Sequence, residues 1–114
     1  MFEFEKLTIY QKAKAYYTQV QTVINHPRLT KYQRDQLGRA SLSILLNLAE
    51  GSGRFTKPSK KNFYTIARGS VFECAAIMDI LASSEIISPT EHQEFYSILD
   101  ELSRILYSLI KKLE

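Results

Sequence analysis

Breakers and bridges are scarce in this 114-residue chain: four glycines, three prolines, one cysteine and no tryptophan. So little glycine and proline, with no repeated unit, excludes collagen-like, low-complexity and solenoid organisation. A lone Cys74 makes no internal disulfide, and with no partner at a ligand spacing it makes no cysteine-rich zinc site either. No apolar run approaches the roughly 20 residues that cross a bilayer. The charged start, Met1 to Lys6, lacks the apolar stretch and cleavage site of a signal peptide. The expectation is a soluble, cytoplasmic chain without membrane, metal or cofactor. It forms one domain over residues 1–114, held by the packing of a sequence that is 45% hydrophobic and 24% charged.

What is present is helical periodicity, in four stretches of about 8–25, 30–50, 57–83 and 89–113. Thr8 with Gln11, Thr30 with Gln33 and Ser88 with Glu91 each have the spacing of a capping box, in which a hydroxyl and a side chain three residues later satisfy each other's backbone N–H groups. Thr56 is expected to cap the third helix. Pro58 and Pro89 fall in first turns, where a missing N–H costs nothing. His26-Pro27 ends the first helix, because proline bars the residue before it from the helical region. Gly51-Ser52-Gly53-Arg54-Phe55 reads as a tight connection whose glycines permit left-handed backbone geometry at the end of the second helix. Gly69, costly in mid-helix, predicts the close approach of a neighbouring helix.

Apolar residues recur at steps of three and four. Ile9, Ala13, Tyr16, Val20 and Val23 or Ile24 share one face of the first helix. Phe63, Ile66 or Ala67, Ser70, Cys74, Ile77 and Leu81 trace the third. Phe95, Ile98 or Leu99, Leu102, Ile105 or Leu106, Leu109 and Leu113 trace the fourth. Near-heptad spacing and short connections predict an all-α fold, an antiparallel up-down-up-down four-helix bundle. The second helix departs from this economy. Leu37, Ala40, Ile44 and Leu48 fill one side, and Leu42, Leu45, Leu46 and Ala49 cover much of the rest. That arc is wider than one core needs, and a partner subunit is the simplest cover for it.

Net charge is +3, unevenly placed: residues 1–72 carry +8 and residues 73–114 carry −5. Such a split makes either a basic face for nucleic acid or acidic segments lying beside basic ones within the fold.

The string Gln36 to Gly51, reading QLGRASLSILLNLAEG, followed by Gly53-Arg54 and by Ile66-Ala67-Arg68-Gly69-Ser70, resembles the bacterial four-helix-bundle family first noted in intervening sequences of 23S ribosomal RNA genes. The opening Phe4 to Ala13 is similar to the start of that family as well, so the resemblance covers essentially the whole chain. Leu48, where isoleucine is more usual, and the strongly basic Lys57-Pro58-Ser59-Lys60-Lys61 depart from the pattern. The resemblance implies a homo-oligomer, with pentameric rings as the family's arrangement. A more remote similarity is to the accessory subunit of diversity-generating retroelements, a basic pentameric bundle that works beside a reverse transcriptase and template RNA.

Two constellations stand out. Arg39, Ser43, Asn47 and Glu50 lie at steps of four, four and three on the second helix, with Arg68, Ser70 and Glu73 opposite them on the third. No nucleophile–base pair, metal spacing or phosphate loop accompanies them, so a hydrogen-bonded polar layer that sets helix register is favoured over catalysis, and no enzyme activity is expected. His26 and His92 are isolated and read as surface residues. The seven tyrosines read as core edges and subunit contacts rather than base-stacking groups. Arg54, Lys57, Lys60 and Lys61 surround the start of the third helix, whose exposed N–H groups and dipole favour an anion. These side chains either bind phosphate or simply keep a sticky oligomer soluble. Repeated around a ring, each weak patch is multiplied. The expected function is therefore a non-enzymatic homo-oligomer that binds RNA or DNA backbone, as an accessory to a nucleic-acid-processing protein. The alternative is a protein-interaction scaffold without nucleic acid.

Overall fold

The computed structural model describes residues 1–114. A 3-10 turn at Glu3–Lys6 leads into four helices, α1 (Thr8–Ile24), α2 (Lys31–Ser52), α3 (Lys57–Ser83) and α4 (Pro89–Lys112). Contacts run α1 to α2, α2 to α3, α3 to α4 and back from α4 to α1, with none across the diagonals, in a bundle 43 × 21 × 21 Å. At one end Arg28, between α1 and α2, donates to the Ser84 and Glu85 carbonyls between α3 and α4. At the other, Lys61 near the start of α3 meets Glu114 just beyond α4. Consecutive helices therefore run antiparallel, up-down-up-down.

Capping chemistry places three of the four starts. Thr30 and Gln33 exchange hydrogen bonds at 3.0 Å each, as do Ser88 and Glu91 at 3.1 and 2.9 Å. Thr56 Oγ1 accepts from the Ser59 N–H at 3.2 Å. The first start differs from expectation: Leu7 is the N-cap and Thr8 is already helical, with no side-chain cap. The preceding 3-10 turn delivers Leu7 in extended geometry, where its side chain packs on the core, and the helix begins one residue sooner than a Thr8 cap allows.

The core joins 22 buried residues from all four helices and two connections. The predicted face of α1 holds, with Ile9, Ala13, Tyr16, Val20 and Val23 buried. That of α4 holds through Phe95, Leu99, Leu102 and Leu106, while Leu109 and Leu113 near its end are only half-buried against the core. On α3 the buried face is rotated away from the predicted stripe. Tyr64, Val71 and Met78 join Ala67, Cys74 and Leu81 inside, while Ile66 is exposed and Phe63, Ser70 and Ile77 are half-buried. The reason is that α3 touches two neighbours, so its core face lies between the α2 and α4 contacts rather than on the α2 side alone.

Both glycine expectations change. No glycine has a positive φ, and α2 runs through Gly51 to Ser52. What Gly51 supplies is space: a Cβ there would lie 2.7 Å from Tyr64 Cε1 and 3.1 Å from Phe63 Cβ. The one left-handed residue is Glu85, between α3 and α4. Gly69 has nothing within 4 Å of a built Cβ, so no helix of this chain approaches it.

Candidate functional site

The Thr56 cap turns the chain sharply from α2 into α3 and gathers the four predicted basic residues at one end of the bundle. Arg54 pairs with Glu50 at 3.2 Å and lays its guanidinium 4.5 Å from the Phe63 ring centre. Lys60 Nζ donates to the Ser52 carbonyl at 2.9 Å and the Gly51 carbonyl at 3.4 Å, capping the last turn of α2. Lys61 pairs with Glu114 at 3.1 Å, and Lys111 reaches the same carboxylate at 3.4 Å. Hydrogen bonds from these two lysines hold the Glu114 carboxyl below its ordinary range. Lys57 and Lys112, both exposed, have no acidic or hydrogen-bonding partner within the chain. Beside them, Phe55 is fully exposed.

This end therefore carries Arg54, Lys57, Lys60, Lys61, Lys111 and Lys112, with Lys6 of the 3-10 turn, against Glu50, Glu114 and the turn's Glu3 and Glu5. The opposite end carries Asp35, Asp79, Glu85, Glu91 and Glu94, all exposed. Of its cations, Arg28 and Arg34 are occupied by backbone carbonyls, and Lys31 has no partner. The charge split read along the sequence becomes a split along the long axis of the bundle. Internal complementarity is present too, because Lys12–Glu101 and Lys61–Glu114 each join a basic first-half residue to an acidic second-half one.

The predicted polar layer is smaller than expected. Ser43 Oγ and Ser70 Oγ are 2.8 Å apart across the α2–α3 contact, and Asn47 Nδ2 donates to the Ser43 carbonyl at 2.9 Å and to its hydroxyl at 3.0 Å. The other four residues are not in it. Arg39 and Glu73 are exposed and unpaired, Glu50 serves Arg54, and Arg68 turns to α4, where its Nε donates to the Ser103 carbonyl at 3.1 Å. Steps of four and three put residues on one helical face, but a face 100° wide points its two edges toward different neighbours.

A second buried network was not visible in the spacing. Tyr16 Oη lies 3.1 Å from Ser41 Oγ, which lies 3.6 Å from Cys74 Sγ, while the Tyr16 ring meets Phe95 edge-on at 6.1 Å. One side chain thus touches α2 and α4 directly and α3 through Ser41. Burial pushes the Tyr16 hydroxyl and the Cys74 thiol upward, so both stay neutral, and the thiol is shielded from reaction.

Part of the wide apolar arc expected of α2 is left uncovered by the bundle, and two hollows that the sequence did not reveal flank α3. Leu42 and Leu46 on the outer side of α2 are 40% and 59% exposed, and Tyr32, Gln36, Glu73, Ile77 and Ile80 line a shallow hollow of about 280 Å³ between α2 and α3. Between α3 and α4 a larger cleft of about 420 Å³ is lined by Arg68, Phe72, Tyr107 and Lys111.

The four-helix order, the α2–α3 junction and its basic end are the setting for a comparison with known proteins. Residues 5–108 match the family described as 23S rRNA-intervening sequence protein. The chain belongs to this family. A crystal structure of a protein with unknown function from the S23 ribosomal protein family of Bacteroides thetaiotaomicron is similar to it with a TM-score of 0.85. That similarity covers 91% of this chain and 99% of the other at 18% identity, a likeness of fold. A comparison with curated proteins finds no match. Like the rest of the bundle, the family segment contains no helix long and apolar enough to cross a membrane.

Proposed function

We propose that this intervening-sequence family protein is a non-enzymatic, self-associating bundle that holds nucleic-acid backbone at its basic end, as an accessory to another nucleic-acid protein. The observation that carries the reading is the lengthwise polarity of charge, with Lys57 and Lys112 unpaired at the positive end. Phosphate binding there needs no rearrangement, and each occupied lysine nearby still adds to the local field. Self-association rests on two unlike apolar patches, the exposed Leu42 and Leu46 stripe and the Tyr32–Ile77–Ile80 hollow. Unlike patches that mate head to tail close into a ring, and five copies is the number that the family resemblance implies. A ring brings several positive ends to one polyanion, and binding then exceeds that of any single end.

The test titrates the full chain with a labelled polyanion at low and high salt. Steep salt dependence is expected, with loss of binding in Lys57→Glu/Lys112→Glu, a variant that breaks no contact inside the bundle. Absence of binding at low salt, or binding indifferent to that charge reversal, rejects the reading. Light scattering checks assembly, and Leu46→Glu is expected to give monomers. A scaffold that binds only protein is the second reading. It is favoured by the internal partners of Arg54, Lys60 and Lys61, and an assembled chain that ignores polyanions selects it.

A further inference from the structure

The cleft between α3 and α4 has features that the basic end does not explain. Its walls are Thr65, Arg68, Gly69 and Phe72 on one side and Tyr107 and Lys111 on the other. Arg68 is half-buried and tied to α4 by its single Nε bond to the Ser103 carbonyl, and its Nη amines have no acceptor in the chain. The guanidinium sits 4.8 Å from the centre of the Phe72 ring and 5.5 Å from that of Tyr107, and the Lys111 ammonium lies 5.5 Å from the Tyr107 centre. Phe72 and Tyr107 are nonetheless 56% and 51% exposed. Glu114, at the rim, is neutralised by Lys61 and Lys111.

An arginine held between rings has already lost much of its freedom, so little entropy remains to be lost when its free amines meet an anion. Exposed aromatic surface beside a fixed cation suits a ligand that is itself flat and aromatic at one end and anionic at the other. Gly69 sharpens the match. A glycine in mid-helix is costly, and here no neighbour in the chain requires it; it leaves the α3 wall bare beside Arg68. A volume of about 420 Å³ admits one such unit and excludes a duplex, whose base faces are hidden in the stack. The cleft is also continuous with the positive end through Lys111 and its neighbour Lys61, which share Glu114.

We infer that this cleft takes one unpaired nucleotide of a single-stranded nucleic acid, its base against Phe72 and Tyr107 and its phosphate on Arg68 and Lys111. This assigns base-stacking work to a tyrosine that its spacing alone marks as a core edge or subunit contact. The inference rests on the nucleic-acid reading above and adds to it a preference for exposed bases, which backbone contacts cannot supply.

The experiment titrates the full chain with three probes at one salt concentration: a short single strand, an abasic strand of equal length, and a duplex. The wild type is expected to bind the single strand about ten-fold more tightly than the abasic strand. Phe72→Ala/Tyr107→Leu is expected to erase that ratio while leaving abasic binding unchanged, and Arg68→Gln to weaken the single strand more than the duplex. Circular dichroism melts confirm that these surface variants remain folded, and Phe72→Ala alone serves if the double variant does not. A free nucleoside monophosphate protected by the same residues, with no strand preference, identifies a small-ligand pocket and overturns the strand assignment. Salt-dependent binding with equal affinity for abasic and complete strands overturns this inference and leaves the backbone reading standing. Absence of binding to any probe overturns both. A fall in assembled mass in the Phe72 variant with the base preference intact shows that the cleft is a contact between copies, and also overturns it.

Discussion

Helix α1 and helix α3 solve the same problem differently. Each buries one stripe in the same core, but α1 exposes no large apolar residue, whereas α3 exposes Ile66, Phe72 and Ile80. Helix α2 resembles α3, with Tyr32, Leu42 and Leu46 outside. An amphipathic helix such as α1 is finished once the bundle closes. A helix that is apolar on a second face is not, since single exposed apolar residues are ordinary but a run of them along two adjacent helices marks a surface that something covers. On the self-association proposed above, the difference separates residues that serve the monomer from those that serve what the monomer meets.

The sharpest way to break this comparison is to truncate one leucine of each kind on α2. Leu48 is fully buried, and Leu48→Ala is expected to lower the unfolding free energy by about 2–5 kcal/mol in urea titrations. Leu46→Ala, two residues away and 59% exposed, is expected to change monomer stability by no more than about 0.5 kcal/mol while removing the dependence of the melting midpoint on protein concentration. Equal losses in the two variants would erase the distinction between inner and outer apolar faces.

A smaller effect separates two glycines. At Gly51 an added methyl meets the Tyr64 ring and Phe63 Cβ, and Gly51→Ala is expected to cost about 1–3 kcal/mol through overpacking. Gly69→Ala meets nothing within 4 Å and is expected to raise the thermal midpoint, by about 1 kcal/mol in stability at most. Calorimetry on both variants reads the opposite signs directly.

The smallest expected effect concerns the buried hydroxyls. Tyr16→Phe is expected to cost about 1 kcal/mol at neutral pH by removing the bond to Ser41. Its pH dependence is more informative. Tyr16 and Cys74 have raised folded-state values, so their contribution is fully present below the unfolded-state values of 10.0 and 9.0 and is lost as pH rises beyond them. Denaturation titrations between neutral pH and alkaline conditions should show a shallower loss in Tyr16→Phe than in the wild type.

Much of the fold was legible in the sequence because helix starts and stripes are local. Thr30 with Gln33, Ser88 with Glu91, and the step from Ile9 to Val23 need only neighbouring residues to be read. The exceptions are instructive. The Thr8 cap failed because Leu7 found a tertiary contact, and the α3 stripe was misplaced because two helices, not one, compete for its face. At the candidate site, the clustering of Arg54, Lys57, Lys60 and Lys61 was readable, but their partners Glu50, the α2 carbonyls and Glu114 were not all local. The aromatic cleft was not legible as a cleft, since Arg68, Phe72, Tyr107 and Lys111 come together only when α3 and α4 lie side by side. Mid-helix Gly69 was the one signal pointing there, and its meaning depended on finding its surroundings empty.

The meeting of four helices at Tyr16 has a dynamic consequence. At that level α2 or α4 cannot swing away from α1 without separating the Tyr16 hydroxyl from Ser41 or its ring from Phe95, and α3 cannot leave α2 without parting Cys74 from Ser41. Opening of any of these three contacts is therefore coupled to loss of the shared network. Amide protons flanking Tyr16, Ser41, Cys74 and Phe95 should exchange together at the rate of global unfolding, while those near Lys57 and Lys112 fray on their own.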